Sequence, residues 1–158
     1  MIAEALLPKL SDWRPTGPGP HSTRLALPNG WEIAIAADQA ESLGCRVTEL
    51  TLSRPAQGAT TAAQLTEWAV RSARRVTGLL EPLKVIEIDV ARSEAILRSD
   101  PPSTRGQRVQ YYELLLHGLH SATLRRYQGD RKGGRRKGVP FALTHEVIAK
   151  VAEDLTAE

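Results

Sequence analysis

The sequence predicts an α+β fold: a mainly antiparallel sheet of about five to seven strands with helices packed on it. Three observations carry this. Several short runs alternate apolar and polar residues, two longer stretches repeat apolar residues at three- and four-residue steps, and the connections between neighbouring strands are too short for parallel crossovers. The 158 residues suit one domain, and 41% hydrophobic with 25% charged residues is the balance of a folded globular chain. No apolar run reaches the ~20 residues of a membrane-spanning helix. Met1 to Leu10 lacks the basic and apolar regions of a secretory leader. A lone cysteine, Cys45, cannot form an internal bridge and suits a reducing, cytoplasmic setting. Membrane, collagenous and disulfide-scaffold classes are thereby excluded.

The first element spans Met1 to Trp13, where Ile2, Ala3, Leu6, Leu7 and Leu10 fall at helical spacing. Pro8 interrupts the pattern, so a short or broken helix is expected. Arg14-Pro15-Thr16-Gly17-Pro18-Gly19-Pro20 is too rich in proline and glycine for regular structure. Residues 1–20 therefore read as an N-terminal arm and tether, and residues 21–158 as a single α+β domain. Thr23, Leu25 and Leu27 alternate before Pro28-Asn29-Gly30, and Trp31, Ile33 and Ile35 alternate after it. Asn-Gly tolerates positive φ at both central positions, which predicts a type I′ hairpin. Pro28 places this hairpin at a sheet edge or in a longer loop. A third strand is expected from about Arg46 to Ser53, with Thr48, Leu50 and Leu52 on one face.

Thr61 and Gln64 form a capping box. It opens a helix whose Leu65, Trp68, Ala69, Ser72, Val76 and Leu79 line one face, with Glu67 and Arg71 placed for an i,i+4 pair opposite. Gly78 and Pro82 stop it. Lys84 to Val90 is expected to turn Ile86, Ile88 and Val90 inward, and Ala91 to Arg98 to do so with Ala95 and Leu97. Gln107 to Leu116 has large side chains on both faces, which places it centrally in the sheet. A turn at His117-Gly118 leads to a returning strand, Ser121 to Tyr127, and then to a polar loop over 128–138. Thr144 caps a closing helix with Val147, Ile148, Val151, Ala152 and Leu155 as its buried stripe.

The order is thus α-β-β-β-α-β-β-β-β-α. Over residues 22–157 it resembles the scaffold shared by PsbP and Mog1 proteins, with Pro28-Asn29-Gly30-Trp31 as the one local echo. More loosely, it is similar to that of type III secretion chaperones, which are typically acidic, as this chain is not. The likeness implies a fold and carries over no functional residue.

Charge is the most uneven property of the chain. Arg105 to Gly138 holds nine basic and two acidic residues, a balance of +7; the remainder, with twelve basic and sixteen acidic, carries −4, which together give the formal +3. Arg125, Arg126, Arg131, Lys132, Arg135, Arg136 and Lys137 form a basic loop able to neutralise phosphates and release counterions. Against this stand an idle, solvated loop and the scarcity of aromatic stacking platforms. Gly129 to Gly134 has the spacing of a phosphate loop, but Arg135-Arg136 replaces the Lys-Ser/Thr that would follow. His117 and His120, with Glu113, would need the Gly118 turn to converge on a metal; His145-Glu146 lacks the second histidine of a zinc-protease motif. Cys45 beside Arg46 reads as a small apolar filler. Glu113, inside Tyr111-Tyr112-Glu113-Leu114-Leu115-Leu116, is the one charge in a strongly apolar run, and is expected to form an ion pair with a nearby arginine.

No nucleophile motif, metal set or cofactor fingerprint emerges, so no catalytic residue, metal or cofactor is expected. The function expected first is a non-catalytic accessory or protein-binding domain, partnered by another protein or by a second copy. The alternative is polyanion or nucleic-acid binding through loop 125–138. No membrane partner is expected.

Overall fold

In the computed structural model, which describes residues 1–158, a long antiparallel sheet carries three helices. In chain order the elements are α1 (Ile2–Asp12), β1 (His21–Ala26), β2 (Glu32–Ala40), β3 (Gly44–Ser53), α2 (Ala62–Arg75), β4 (Leu83–Asp89) and β5 (Glu94–Ser99). They continue with β6 (Ser103–Arg105), β7 (Arg108–His117), β8 (Ser121–Asp130), β9 (Lys137–Val139), β10 (Phe141–Thr144) and α3 (His145–Thr156). Seven strands run in the order β1-β2-β3-β8-β7-β5-β4, all pairings antiparallel. The three strands beyond the predicted seven are short: β6 pairs β7, β9 pairs β8 and β10 pairs β3. Strands β3 and β8 pair only over Leu50–Ser53 and Ser121–Leu124. Beyond that they part, and the β9–β10 stretch, bent at Pro140, fills the fork.

Side chains of one sheet face meet the helices. Ile33, Ile35, Val47, Leu50, Leu52, Leu97, Tyr112, Leu114, Leu116 and Leu124 are buried with Leu65 and Trp68 of α2 and Ile148, Val151 and Leu155 of α3. Trp68 donates its indole N–H to the Leu155 carbonyl at 3.1 Å, which ties α2 to α3. The capping box of α2 forms as expected, and the Thr144 hydroxyl accepts from the Val147 N–H at 3.1 Å.

Five local expectations need correction. Helix α2 stops at Arg75 with Val76 as an extended cap, before Gly78, so Leu79 packs on the core from the loop and not from the helix face. Helix α1 continues through Pro8, and its Ile2, Leu6 and Leu10 enter the same core cluster as the sheet, packed on α3. Burial of those three side chains offsets a proline cost of roughly 3 kcal/mol. At the first hairpin only Gly30 has positive φ (87°), and the Gly30 N–H donates to the Leu27 carbonyl. Pro28 fixes negative φ at the first turn position, so a three-residue loop closed by a left-handed glycine replaces the type I′ turn. In β3 the register steps from Ala36↔Glu49 to Ala37↔Val47. Thr48 is thus a bulge residue and lies exposed, away from the face of Leu50 and Leu52. A second bulge between Val85 and Glu87 turns Ile86 outward on the edge strand β4, while Val90 lies in the exposed turn.

Candidate anion-binding end of the sheet

The basic stretch divides into engaged and free cations, and carboxylates engage arginines on both faces of the sheet. On the face away from the helices, register places Arg98 opposite Glu113 and Glu113 opposite Arg125. Arg125 in turn donates to Glu49 on β3 at 2.6 and 2.8 Å. Charges therefore alternate across four strands, the arrangement that cross-strand pairing favours. Glu113, 12% exposed, accepts from Arg98 Nε at 2.8 Å and from both terminal nitrogens of Arg136, at 2.6 and 3.3 Å. Arg136 also lies over the Tyr127 ring, 3.7 Å from its centroid. Burial alone would push the Glu113 carboxyl up, but the two guanidinium groups outweigh it and hold it below the usual carboxylate range.

Arg126 points to the opposite, helix-covered side and leaves the candidate polyanion set. Its guanidinium is 4% exposed, donates to both oxygens of Glu81 at 2.9 and 2.8 Å, and stacks on Tyr112 at 4.2 Å. Ser99 and Ser103 hydroxyls complete the Glu81 shell at 2.7 and 2.6 Å. Glu81 sits in the α2–β4 loop, so this pair fastens that loop to β8.

Three of the nine basic residues between 105 and 138 are thus engaged by carboxylates: Arg125, Arg126 and Arg136. The other six, Arg105, Arg108, Arg131, Lys132, Arg135 and Lys137, are exposed and have no carboxylate oxygen within 4.0 Å. Backbone geometry gathers them. Arg105 faces Arg108 directly across the β6–β7 hairpin, the Arg131 N–H donates to the Gln107 carbonyl at 2.8 Å, and Lys137 lies opposite Gln128. Asp130, opposite Arg108, is the acidic side chain at this end, and its Oδ1 accepts from the Lys132 N–H. Strand β8 runs to Asp130, which shortens the expected loop 128–138 to residues 131–136. Arg105 and Arg108 are the members that sequence reading did not include in the basic set. They lie more than twenty positions before the loop, and only the β7–β8 register brings them beside it.

Other candidate groups do not assemble. No three His, Cys, Asp or Glu side chains converge to hold a metal. The His117 and His120 rings stack edge to face at 5.3 Å, with Glu94 3.7 Å from His117, while Glu113 is taken up by arginines. Cys45 is buried, and burial pushes its thiol up to about 11, the protonated and unreactive form. Helices of the length and apolarity needed to cross a membrane are absent. Comparisons with protein-family profiles, with curated proteins and with solved structures find no match.

Proposed function

We propose that this chain is a non-catalytic binding domain that docks the phosphate backbone of a nucleic acid on the uncovered end of its sheet. One observation carries the reading: six cations, left unpaired while their neighbours pair, share one end of β6, β7, β8 and the 131–136 loop. Unpaired clustered cations repel one another, and phosphates relieve that repulsion while releasing counterions. The protein-partner reading draws less support, because the large exposed apolar side chains Met1, Leu43, Val70, Leu80, Ile86 and Val90 stand in separate turns and elements. Arg136 is held to Glu113, so the contact falls to the other loop residues and to Arg105 and Arg108.

Fluorescence anisotropy with duplex and single-stranded oligonucleotides, followed from ~50 to ~200 mM salt, tests this. With six contacts the slope of log K against log salt for duplex approaches about −5. Replacing Arg131, Lys132, Arg135 and Lys137 with serine weakens binding and brings the slope to about −2. Binding that ignores salt, or that survives this substitution unaltered, overturns the reading.

A further inference from the structure

We infer that the cleft beneath Leu80, between the β6–β7 hairpin and β8, is a discrete site for a phosphate monoester group. This rests on the polyanion reading only for the source of the phosphate. The cleft encloses about 360 Å³, within the range of small-ligand sites, and is lined by Ser103, Arg105, Arg108, Gln110, Arg126 and Gln128 beside Leu80. No acidic side chain lines it.

Register explains why these residues converge. Ser103 is opposite Gln110, Gln110 opposite Gln128, and Arg105 opposite Arg108. Directly opposed residues share a sheet face, and two-residue steps keep to it, so all six project to the side that the helices cover farther along. No helix contributes a residue to the lining, and Leu80 of the α2–β4 loop is its one apolar side chain. Its floor charge is settled, because both terminal nitrogens of Arg126 are committed to Glu81. The net +2 of the lining then comes from Arg105 and Arg108, like charges placed opposite each other in the hairpin, with Asp130, opposite Arg108 on β8, the acidic residue beside them. A phosphate monoester carries about −1.5 to −2 at neutral pH and offers three acceptor oxygens. Gln110 donates one amide hydrogen to the Gln128 carbonyl at 3.0 Å, which leaves the Gln128 amide as a neutral donor beside the two guanidinium forks.

The test has two arms on the full chain. In the first, inorganic phosphate is titrated while thermal unfolding is followed, with chloride at matched ionic strength as the control. A rise in Tm of a few degrees specific to phosphate is expected. It is lost in Arg105→Ser/Arg108→Ser and kept in Arg131→Ser/Lys132→Ser/Arg135→Ser; both changes are at exposed positions. An equal shift with chloride, or a shift that survives loss of both hairpin arginines, overturns the site. In the second arm, a single-stranded oligonucleotide carrying a terminal phosphate is expected to bind about tenfold more tightly than its hydroxyl-ended twin, only while Arg105 and Arg108 are present. Oligonucleotide binding without either response refutes the cleft and leaves the backbone-docking reading intact. Phosphate binding without oligonucleotide binding refutes backbone docking and keeps the cleft as a small-phosphate site.

Discussion

Glu81 and Arg126 show how much a single buried pair decides. Both side chains are about 5% exposed or less, and their mutual hydrogen bonds with the two serine hydroxyls leave no carboxylate oxygen idle. Burial by itself would push the Glu81 carboxyl up; the Arg126 guanidinium with the Ser103 and Ser99 hydroxyls outweighs it and holds it below the usual range. Glu81→Gln strands a buried guanidinium, and a loss of about 3–5 kcal/mol in urea unfolding is expected. Glu81→Leu combined with Arg126→Met recovers part of that loss, since neither charge is then left alone. The pair also sets an acid limit. A carboxyl depressed in the fold binds fewer protons there than in the unfolded chain. Its stability is therefore complete above the ordinary glutamate value of about 4.3 and is lost as pH falls through the lower folded value. Glu81→Gln should flatten the unfolding free energy against pH in that window, and an unchanged profile would remove the pair from acid unfolding. Nothing in the sequence marks Arg126 as different from Arg125. The two differ by which sheet face they meet, and the partner of Arg126 lies 45 positions away.

Elements that carry their own signal were readable in advance. Helix α2 has its capping box and apolar face, α3 has Thr144, and the central place of β7 follows from large residues on both faces. Strands β6, β9 and β10 have only three or four residues each, too few to show a period, and they owe their existence to distant neighbours. The bulges at Thr48 and Ile86 escaped for the same reason, because an extra residue shifts alternation only relative to a partner strand. Glu113 was legible as a charge in an apolar run, whereas the membership of Arg105 and Arg108 in a site was not. Helix α1 is the instructive case, because local proline and glycine content set it apart while long-range packing draws it in. Leu6 is fully buried in the shared core. Leu6→Ala should cost about 2–5 kcal/mol in denaturant unfolding of the whole domain. A change near zero, or a separate early transition confined to residues 1–20, would instead make α1 an independent arm.

For the whole molecule, the consequence of pairing is a sharper charge separation than composition conveys. A formal +3 looks mild, yet free positive charge sits at one sheet end while the rest of the chain sums to −4. Evenly charged copies repel at low ionic strength, and adding salt weakens that repulsion. Copies with one basic end and a net acidic remainder attract at low ionic strength through opposed ends, and salt screens the attraction, with a Debye length shrinking from ~30 Å at 0.01 M to ~8 Å at 0.15 M. The two cases differ in sign. Static light scattering at neutral pH should therefore give a second virial coefficient that rises as salt is added to this protein. Replacing Arg131, Lys132, Arg135 and Lys137 with serine removes four of the six free cations and should reduce that rise. A coefficient that falls with salt in the unmodified chain would mean that the acidic and basic surfaces are interspersed, and the basic end would then lack the field that steering a polyanion requires.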